Sequence, residues 1–522
     1  MILVVVVGFM VYEDYGLTLD DESYRLNGVF YKEFIQNYFL SIFSFDFSEL
    51  SNLNEEIQNT PIRNHPAIFE IFLEFIVKIF GVTEINEIYN ISHLLNYLIF
   101  SFSLFICYKI ISVRFNSNLL SILSIFLIFF TPRFFAESFY NSRDIFFFSL
   151  FIFFIYTVQC QLDRDDHKNK ILVSLTSALL ISSKVLGIIP FLIYILFYSI
   201  HNSEKNKNLL KILTKVILII FLTLLFALIL WPYLWLNPIE NLIEGYFGIL
   251  KDHDNLKVLT LFMGEQQTST STPWYFRIVW FYITTPLIIC LLFSSGLVAL
   301  VTKFIRCIMN LNEKDSNLII NKSNFLDFFL LLNLILIVFV TAKYNDSQFN
   351  GWRHLYFLYL PIIYISIFAI RELAMNKRVK VVVFFILTIS CALNALWIFK
   401  NHPYQNNYLN YLASKYAINK FDLDYWGLSN YQSLKYILDK DNRKLINVST
   451  VSFANLNISK LKLDKKNRER LNVVFDYSKA DYLINSYMSR LGENYKHNFK
   501  DYEKFYEITV LGKPINTVYK KN

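Results

Sequence analysis

Apolar runs of about 18 residues or more recur along the chain, separated by short polar connectors. A helix of that length crosses a hydrocarbon core of about 30 Å. In order, they predict spans over 1–12, 88–112, 117–132 and 145–160. A pair of short spans follows within 171–200, turning near Lys184, and then spans over 212–231, 278–304, 324–342, 355–370 and 381–399. The total is about eleven crossings. The first run reaches only about 17 Å at 1.5 Å per residue. It lacks a basic n-region and an A-x-A site, so it reads as an uncleaved span and not a signal peptide. Either the chain begins further upstream, or Tyr12 and the following turn complete the crossing.

The connectors complete the pattern. Residues 13–87 form a long polar to amphipathic loop. Within it, 68–80 predicts an interfacial helix, with Glu70 and Glu74 on one side and Ile68, Phe72, Phe75 and Ile79 towards another. Gly81 can end it. Pro132 helps stop the third span, and 133–144 reads as an outer turn. In the outer loop 232–277, Asn237-Pro-Ile-Glu240 has the form of a helix start. The Lys- and Arg-bearing connectors all fall on one side, which the positive-inside rule makes the cytoplasm. The N-terminus is then cytoplasmic, the C-terminus extracytoplasmic, and the protein a multi-pass protein of the inner (plasma) membrane.

Beyond residue 400 charges rise and no run is long enough to span. Asn447-Val-Ser-Thr-Val-Ser-Phe, Leu471-Asn-Val-Val-Phe and Tyr482-Leu-Ile-Asn predict strands, and Tyr431 to Leu438 a helix. The fold expected is an all-α polytopic membrane domain over 1–399 and a small C-terminal α/β extracytoplasmic domain over 400–522.

Composition agrees. Of 522 residues, 54% are hydrophobic and only 18% charged, where a soluble chain carries about a quarter charged. The net charge of +8 is explained by the positive connectors, so no nucleic-acid partner is called for. Five cysteines, Cys107, Cys160, Cys290, Cys307 and Cys391, lie in or beside apolar spans without a CxxC. They read as small core residues, not disulfides or a thiolate metal site.

Charged groups on the outer face supply the candidate chemistry. Three acids in a row, Asp20, Asp21 and Glu22, follow the first span, and Asp144 opens the fourth. Carboxylates near membrane depth are costly and so are functional candidates. His65, Arg143, Lys184, Trp274, Arg353 and His354 come to the same face from other loops. Such a set suits transfer from a phosphate-bearing lipid: an acid takes the proton of an incoming hydroxyl, and cations stabilise the departing phosphate. Plain structural readings stand beside these. Thr18-x-x-Asp21 and Asn141-x-x-Asp144 fit helix caps, and caps are compatible with functional anions. His65 also fits an interfacial histidine, Lys184 a snorkelling lysine, Arg353 and His354 an interfacial anchor. Trp274 fits an aromatic belt or a sugar-stacking platform.

With these residues the chain resembles the GT-C glycosyltransferases, in particular bacterial relatives of the protein O-mannosyltransferases (glycosyltransferase family 39) and the aminoarabinose transferases. The matching stretches are Asp14-Tyr-Gly-Leu-Thr-Leu-Asp-Asp-Glu22, Asn64-His-Pro66, Pro132 to Asp144, Ser182-Ser-Lys-Val-Leu-Gly187, Thr272-Pro-Trp-Tyr275, Asn350-Gly-Trp-Arg-His-Leu-Tyr356 and His402-Pro-Tyr-Gln405, in that order. The resemblance implies a sugar moved from a polyprenyl-phosphate-linked donor to an extracytoplasmic acceptor, which is a protein hydroxyl, a lipid or a glycan. It implies an acidic pair in the first outer loop, Asp21 and Glu22, and a second acid, Asp144, as catalytic residues; on this reading Asp21 is the general base or acceptor-orienting anion, Glu22 supports it and Asp144 completes the acidic site. Asp20, His65, Arg143, Lys184, Trp274, Arg353 and His354 become substrate-binding, with Lys184 and Arg353 at the donor phosphate. The first span is shorter than the resemblance implies, and Lys184 stands where similar proteins often carry Arg. Some GT-C enzymes need a divalent cation and others do not, and no ligand spacing here decides between them.

Two other classes compete. A transporter or lipid-linked-sugar flippase would carry its charges at the midplane and show inverted repeats, whereas these charges gather at one face. A non-catalytic scaffold presenting 400–522 would tolerate loss of all three acids.

Overall fold

The computed structural model describes residues 1–45, 66–205, 208–245, 258–309, 321–343, 351–452, 455–487 and 499–522. Its first helices are α1 (Ile2–Val11), α2 (Asp21–Ser44), α3 (Ile68–Phe80), α4 (Ile85–Phe115), α5 (Asn118–Phe129) and α6 (Pro132–Tyr140). Next come α7 (Asp144–Asp163), α8 (His167–Ile181), α9 (Ile188–Lys205) and α10 (Leu209–Leu230). The remaining long helices are α11 (Phe276–Thr284), α12 (Leu287–Met309), α13 (Lys322–Lys343), α14 (Tyr359–Leu373) and α15 (Lys377–Lys400). Among the described residues eight helices are long and apolar enough to cross a membrane, or nine if α5 and α6 count as one broken span. This is a multi-pass membrane protein. The shorter α1 and α8 occupy the positions of the expected first and fifth spans.

The predicted turn at Lys184 is present. α8 ends at Ile181, a short 3-10 turn covers Val185–Gly187, and α9 begins at Ile188. Lys184 bonds Asp144 at the start of α7, while the far ends of the same helices meet around Asp165. That carboxylate accepts from Lys170 at 3.1 Å and from Tyr198 at 2.9 Å, and also pairs with Lys215. The two ion clusters thus lie at opposite ends of the helices.

Three readings need correction. The stretch 133–144 is not an outer turn. Pro132 starts a second helix bent 69° from α5, because proline is preorganised for a first helical turn, and all of α6 is buried. The predicted loop after the first span contains the 24-residue α2. Its inward positions Asn27, Gly28, Tyr31, Phe34 and Ser41 have helical spacing, but three of the five lack an apolar side chain, which masks the period. Finally, the eighth span is broken at Pro286, which lacks an amide hydrogen. Asn410 donates to the carbonyls of Tyr282 at 2.6 Å and Thr285 at 3.1 Å, satisfying groups that the break exposes.

α3 is amphipathic, as its sequence predicts. Phe72, Ile79 and Phe80 are exposed, whereas Glu70 and Glu74 are buried. Glu70 pairs with Arg143 at 2.9 Å, and Glu74 with Arg25 and Lys32, each at 3.4 Å. Gly81 closes the helix at φ +64°. α2 crosses it at Gly28, where an added Cβ would sit 2.6 Å from the Glu70 Cβ.

The C-terminal part carries α16 (Tyr411–Tyr416), α17 (Asn430–Lys440), α18 (Leu456–Leu461) and α19 (Lys465–Arg470). A hairpin of β1 (Leu259–Phe262) and β2 (Glu265–Thr268) lies in the earlier long loop. The five-stranded sheet uses β3 (Ile446–Thr450), β4 (Leu471–Val473), β5 (Tyr482–Asn485), β6 (Tyr502–Val510) and β7 (Lys513–Lys521) in the order β4-β3-β5-β7-β6. The three expected strands pair parallel, and the final hairpin adds antiparallel. That hairpin turns at Leu511 and Gly512, both at positive φ, as a tight two-residue turn requires. The sheet has its own apolar core around Leu434, Ile446, Val448 and Ile484. Phe421, Tyr425, Trp426 and Leu428 instead join the core of the membrane helices.

Candidate active site beneath the first loop

The acidic run ends at the start of α2, where successive side chains point about 100° apart. That rotation separates the three acids. Asp21, the first residue of α2 after its N-cap Asp20, turns back and accepts the Thr18 amide hydrogen at 2.6 Å. Burial pushes its pKa up to about 7. Glu22 lies near enough to Tyr89 to act on its phenol. Asp20 faces the other way, 3.5 Å from Arg353, and its side chain keeps 37% exposure.

Arg353 opens the 3-10 turn before α14 and joins the two acidic stretches. Its other terminal nitrogen lies 3.4 Å from Asp144, and its guanidinium rests 4.8 Å over Trp426. Asp144 is fully buried and also pairs with Lys184. The cap reading holds here too: Asn141 accepts the Asp144 amide hydrogen at 3.0 Å and donates to its carboxylate at 3.0 Å. Asn141 also donates to Glu137 at 2.8 Å, and Tyr356 donates to the same acid at 2.6 Å. A buried carboxylate held by several donors and two cations is rigid, and it fixes Lys184 and Arg353 in place.

The structure therefore brings together Asp20, Asp144, Lys184 and Arg353. Half-buried His354 contributes to the field at Asp144. Arg143 flanks the group, bonded to Glu70 and the Pro66 carbonyl and stacked 4.4 Å over Tyr24. Asp21 and Glu22 belong to the same helix start but face another side. Trp274 does not join the cluster; it is 64% exposed and borders a separate apolar groove. His65 lies outside the described residues. Sequence reasoning placed Glu137 among the outer-face acids but missed Tyr24, Tyr356 and Trp426. Trp426 carried no local signal, because it comes from a segment read only as part of the small extracytoplasmic α/β domain. Among the described residues no group of three His, Cys, Asp or Glu side chains is arranged to hold a metal.

An apolar groove of about 440 Å³ runs between α11, α12, α13 and α14. Phe281, Leu297, Val338, Ile362 and Trp352, the residue before Arg353, line it.

Comparison with known proteins agrees with this picture. Residues 64–231 match the model of a family described as dolichyl-phosphate-mannose-protein mannosyltransferase. No curated protein sequence matches the chain. Solved structures of similar shape include ArnT from Cupriavidus metallidurans bound to undecaprenyl phosphate, and the same protein in the apo state. Each is 10% identical over 99% of this chain and 97% of that chain, with a TM-score of 0.47. The matched stretch includes Arg143, Asp144 and Lys184 of the cluster described above.

Proposed function

We propose that the protein transfers a hexose or pentose, with inversion, from a polyprenyl phosphate to a hydroxyl on the extracytoplasmic face. The observation that carries this reading is the Arg353 bridge: one guanidinium spans Asp20 at 3.5 Å and Asp144 at 3.4 Å, with Lys184 on the same buried carboxylate. Asp144 neutralises the cations and aims them. Lys184 and Arg353 then meet the donor phosphate as its charge grows. The acceptor oxygen forms a bond to the anomeric carbon while the bond from that carbon to the phosphate oxygen breaks. The electron pair leaves with the polyprenyl phosphate, and the acceptor proton passes to Asp20. Of the three loop acids, Asp20 suits the role of base best, since Asp21 is engaged with Thr18. Asp21 and Glu22 support the helix start, and Arg143 and His354 shape the field around the donor.

The Lys- and Arg-bearing connectors at the other ends of the helices support an extracytoplasmic site, with the N-terminus in the cytoplasm and the C-terminus outside. The groove beside Arg353 suits the polyprenyl tail, so that the phosphate emerges at Trp352. Filling it with Val338→Trp is expected to raise the donor KM about tenfold, equivalent to about 1.4 kcal/mol, with kcat retained. Initial rates against donor concentration check this, and an unchanged KM would remove the groove from the proposal. Mass spectrometry of envelope lipids, proteins and glycans with and without the gene tests the activity itself. Loss of one sugar substituent is expected, and an unchanged profile, with lipid-linked sugar crossing vesicles instead, would point to a flippase.

A further inference from the structure

Two buried hydrogen-bonding groups close to Arg353 are unused. Arg133, in the first turn of α6, is 2% exposed, and Tyr425, from the C-terminal part, is 5% exposed. The Arg133 Nε–H donates to the Tyr408 carbonyl at 3.4 Å, and the guanidinium lies 5.4 Å over the Trp280 ring. Among the described residues, Arg133 Nη1 and the Tyr425 hydroxyl have no hydrogen-bond partner. Glu137, one turn along α6 from Arg133, is already engaged: it accepts from Tyr356 at 2.6 Å and from Asn141 at 2.8 Å. Folded proteins leave few buried polar groups unsatisfied, because each one costs free energy. Two such groups side by side therefore call for a ligand.

They converge on one point. Gly351 has φ +85°, and a Cβ built on it would lie 3.7 Å from Arg133 Nη1 and 3.9 Å from the Tyr425 hydroxyl. Among the described residues, no other atom outside Gly351 and its chain neighbours comes within 4 Å of that point. Glycine suits the positive φ and brings no side chain to the spot. A ligand oxygen entering beside Gly351 thus meets a guanidinium and a phenol, both unused. Arg353 follows two residues later, so its backbone is within about 7 Å of this niche, a separation that one sugar ring bridges. Trp426 links the two places. Arg353 rests 4.8 Å over its ring, and Tyr425 packs beside it with ring centroids 5.0 Å apart.

We propose that Arg133, Tyr425 and the bare backbone of Gly351 form the subsite for the donor sugar, holding one of its hydroxyls while Lys184 and Arg353 hold the phosphate. This rests on the function proposed above and adds to it the residues that tell one sugar from another. The cations alone would accept any polyprenyl phosphate. A site built to bond a hydroxyl rejects a sugar that lacks it, because the buried protein groups are then left unpaired. The donor sugar accordingly carries a hydroxyl at the ring position that reaches Gly351 and is not deoxygenated there.

The test uses the full chain in lipid nanodiscs and two probes matched in lipid phosphate. One is undecaprenyl phosphate; the other is the lipid-linked sugar fraction extracted from the native membranes. The parent protein should gain more Tm from the sugar-bearing lipid than from undecaprenyl phosphate, since the tighter ligand stabilises more. Tyr425→Phe removes only the unused hydroxyl, so without either lipid it should be at least as stable as the parent. Its response to undecaprenyl phosphate should be unchanged, and its response to the sugar-bearing lipid should fall to the same value. In transfer assays its donor KM should rise about tenfold, the worth of one hydrogen bond, with kcat retained because the contact holds ground state and transition state alike. Gly351→Ala puts a methyl group at the same point and should show the same selective loss. Its Tm without lipid reports separately the strain of its positive φ. Equal responses of the parent and Tyr425→Phe to the sugar-bearing lipid would leave the niche to water and overturn the proposal. Weakened responses to both lipids would place Tyr425 at the phosphate and overturn it too, as would a parent that does not distinguish the lipids. Tighter binding of the sugar-bearing lipid without sugar transfer would instead refute the proposed function, and the comparison of the two lipids would still decide the subsite.

Discussion

Asp20→Asn should lower kcat by about 10²–10⁴-fold, the range that a positioned general base supplies, while the protein folds and binds its lipid donor as before. Asp21→Asn should cost about tenfold, because an amide oxygen still accepts from Thr18. The contrast decides which acid takes the proton. It rests on the start of α2, where Asp20 faces Arg353 and Asp21 faces Thr18. Single-turnover transfer with donor in excess separates this chemical step from donor binding. If the two variants exchanged behaviour, the base would be Asp21 and the assignment from geometry would fail.

The second large effect concerns Asp144. Asp144→Ala leaves Lys184 and Arg353 without the buried carboxylate they share, and uncompensated buried charge costs about 3–5 kcal/mol. Thermal unfolding in detergent should record that loss. Adding undecaprenyl phosphate should return part of it, since a bound phosphate replaces the missing negative charge and ligand binding to the folded state stabilises it. Lys184→Met should behave differently, keeping most of the stability but weakening the response to undecaprenyl phosphate. A fully stable Asp144→Ala protein would show that the cluster does not depend on this carboxylate.

Much of the fold was legible because spans are written in uninterrupted apolar runs, and a lysine at the tip of such a run marks a turn. α2 was hidden because Asn27, Gly28 and Ser41 occupy its inward face. The edge strand β6 was hidden by its Glu, Lys and Tyr side chains. Within the site, Asp144, Lys184 and Arg353 were legible as charges beside helix ends. The choice among Asp20, Asp21 and Glu22 was not, because adjacent residues differ only in the direction the helix gives them. Trp426 was out of reach for another reason: it rests against Arg353 and Tyr140, which come from distant parts of the chain, and nothing local announces such a pairing.

α4 has 31 residues, about 46 Å of helix, against a hydrocarbon layer of about 30 Å. Its surplus length serves as a pillar. Asn90 and His93 stand near its top, where the C-terminal part is tied on. The height of that part above the lipid is thus set by a rigid strut, so a thicker or thinner bilayer would move the water-facing chemistry relative to the anchored lipid tail.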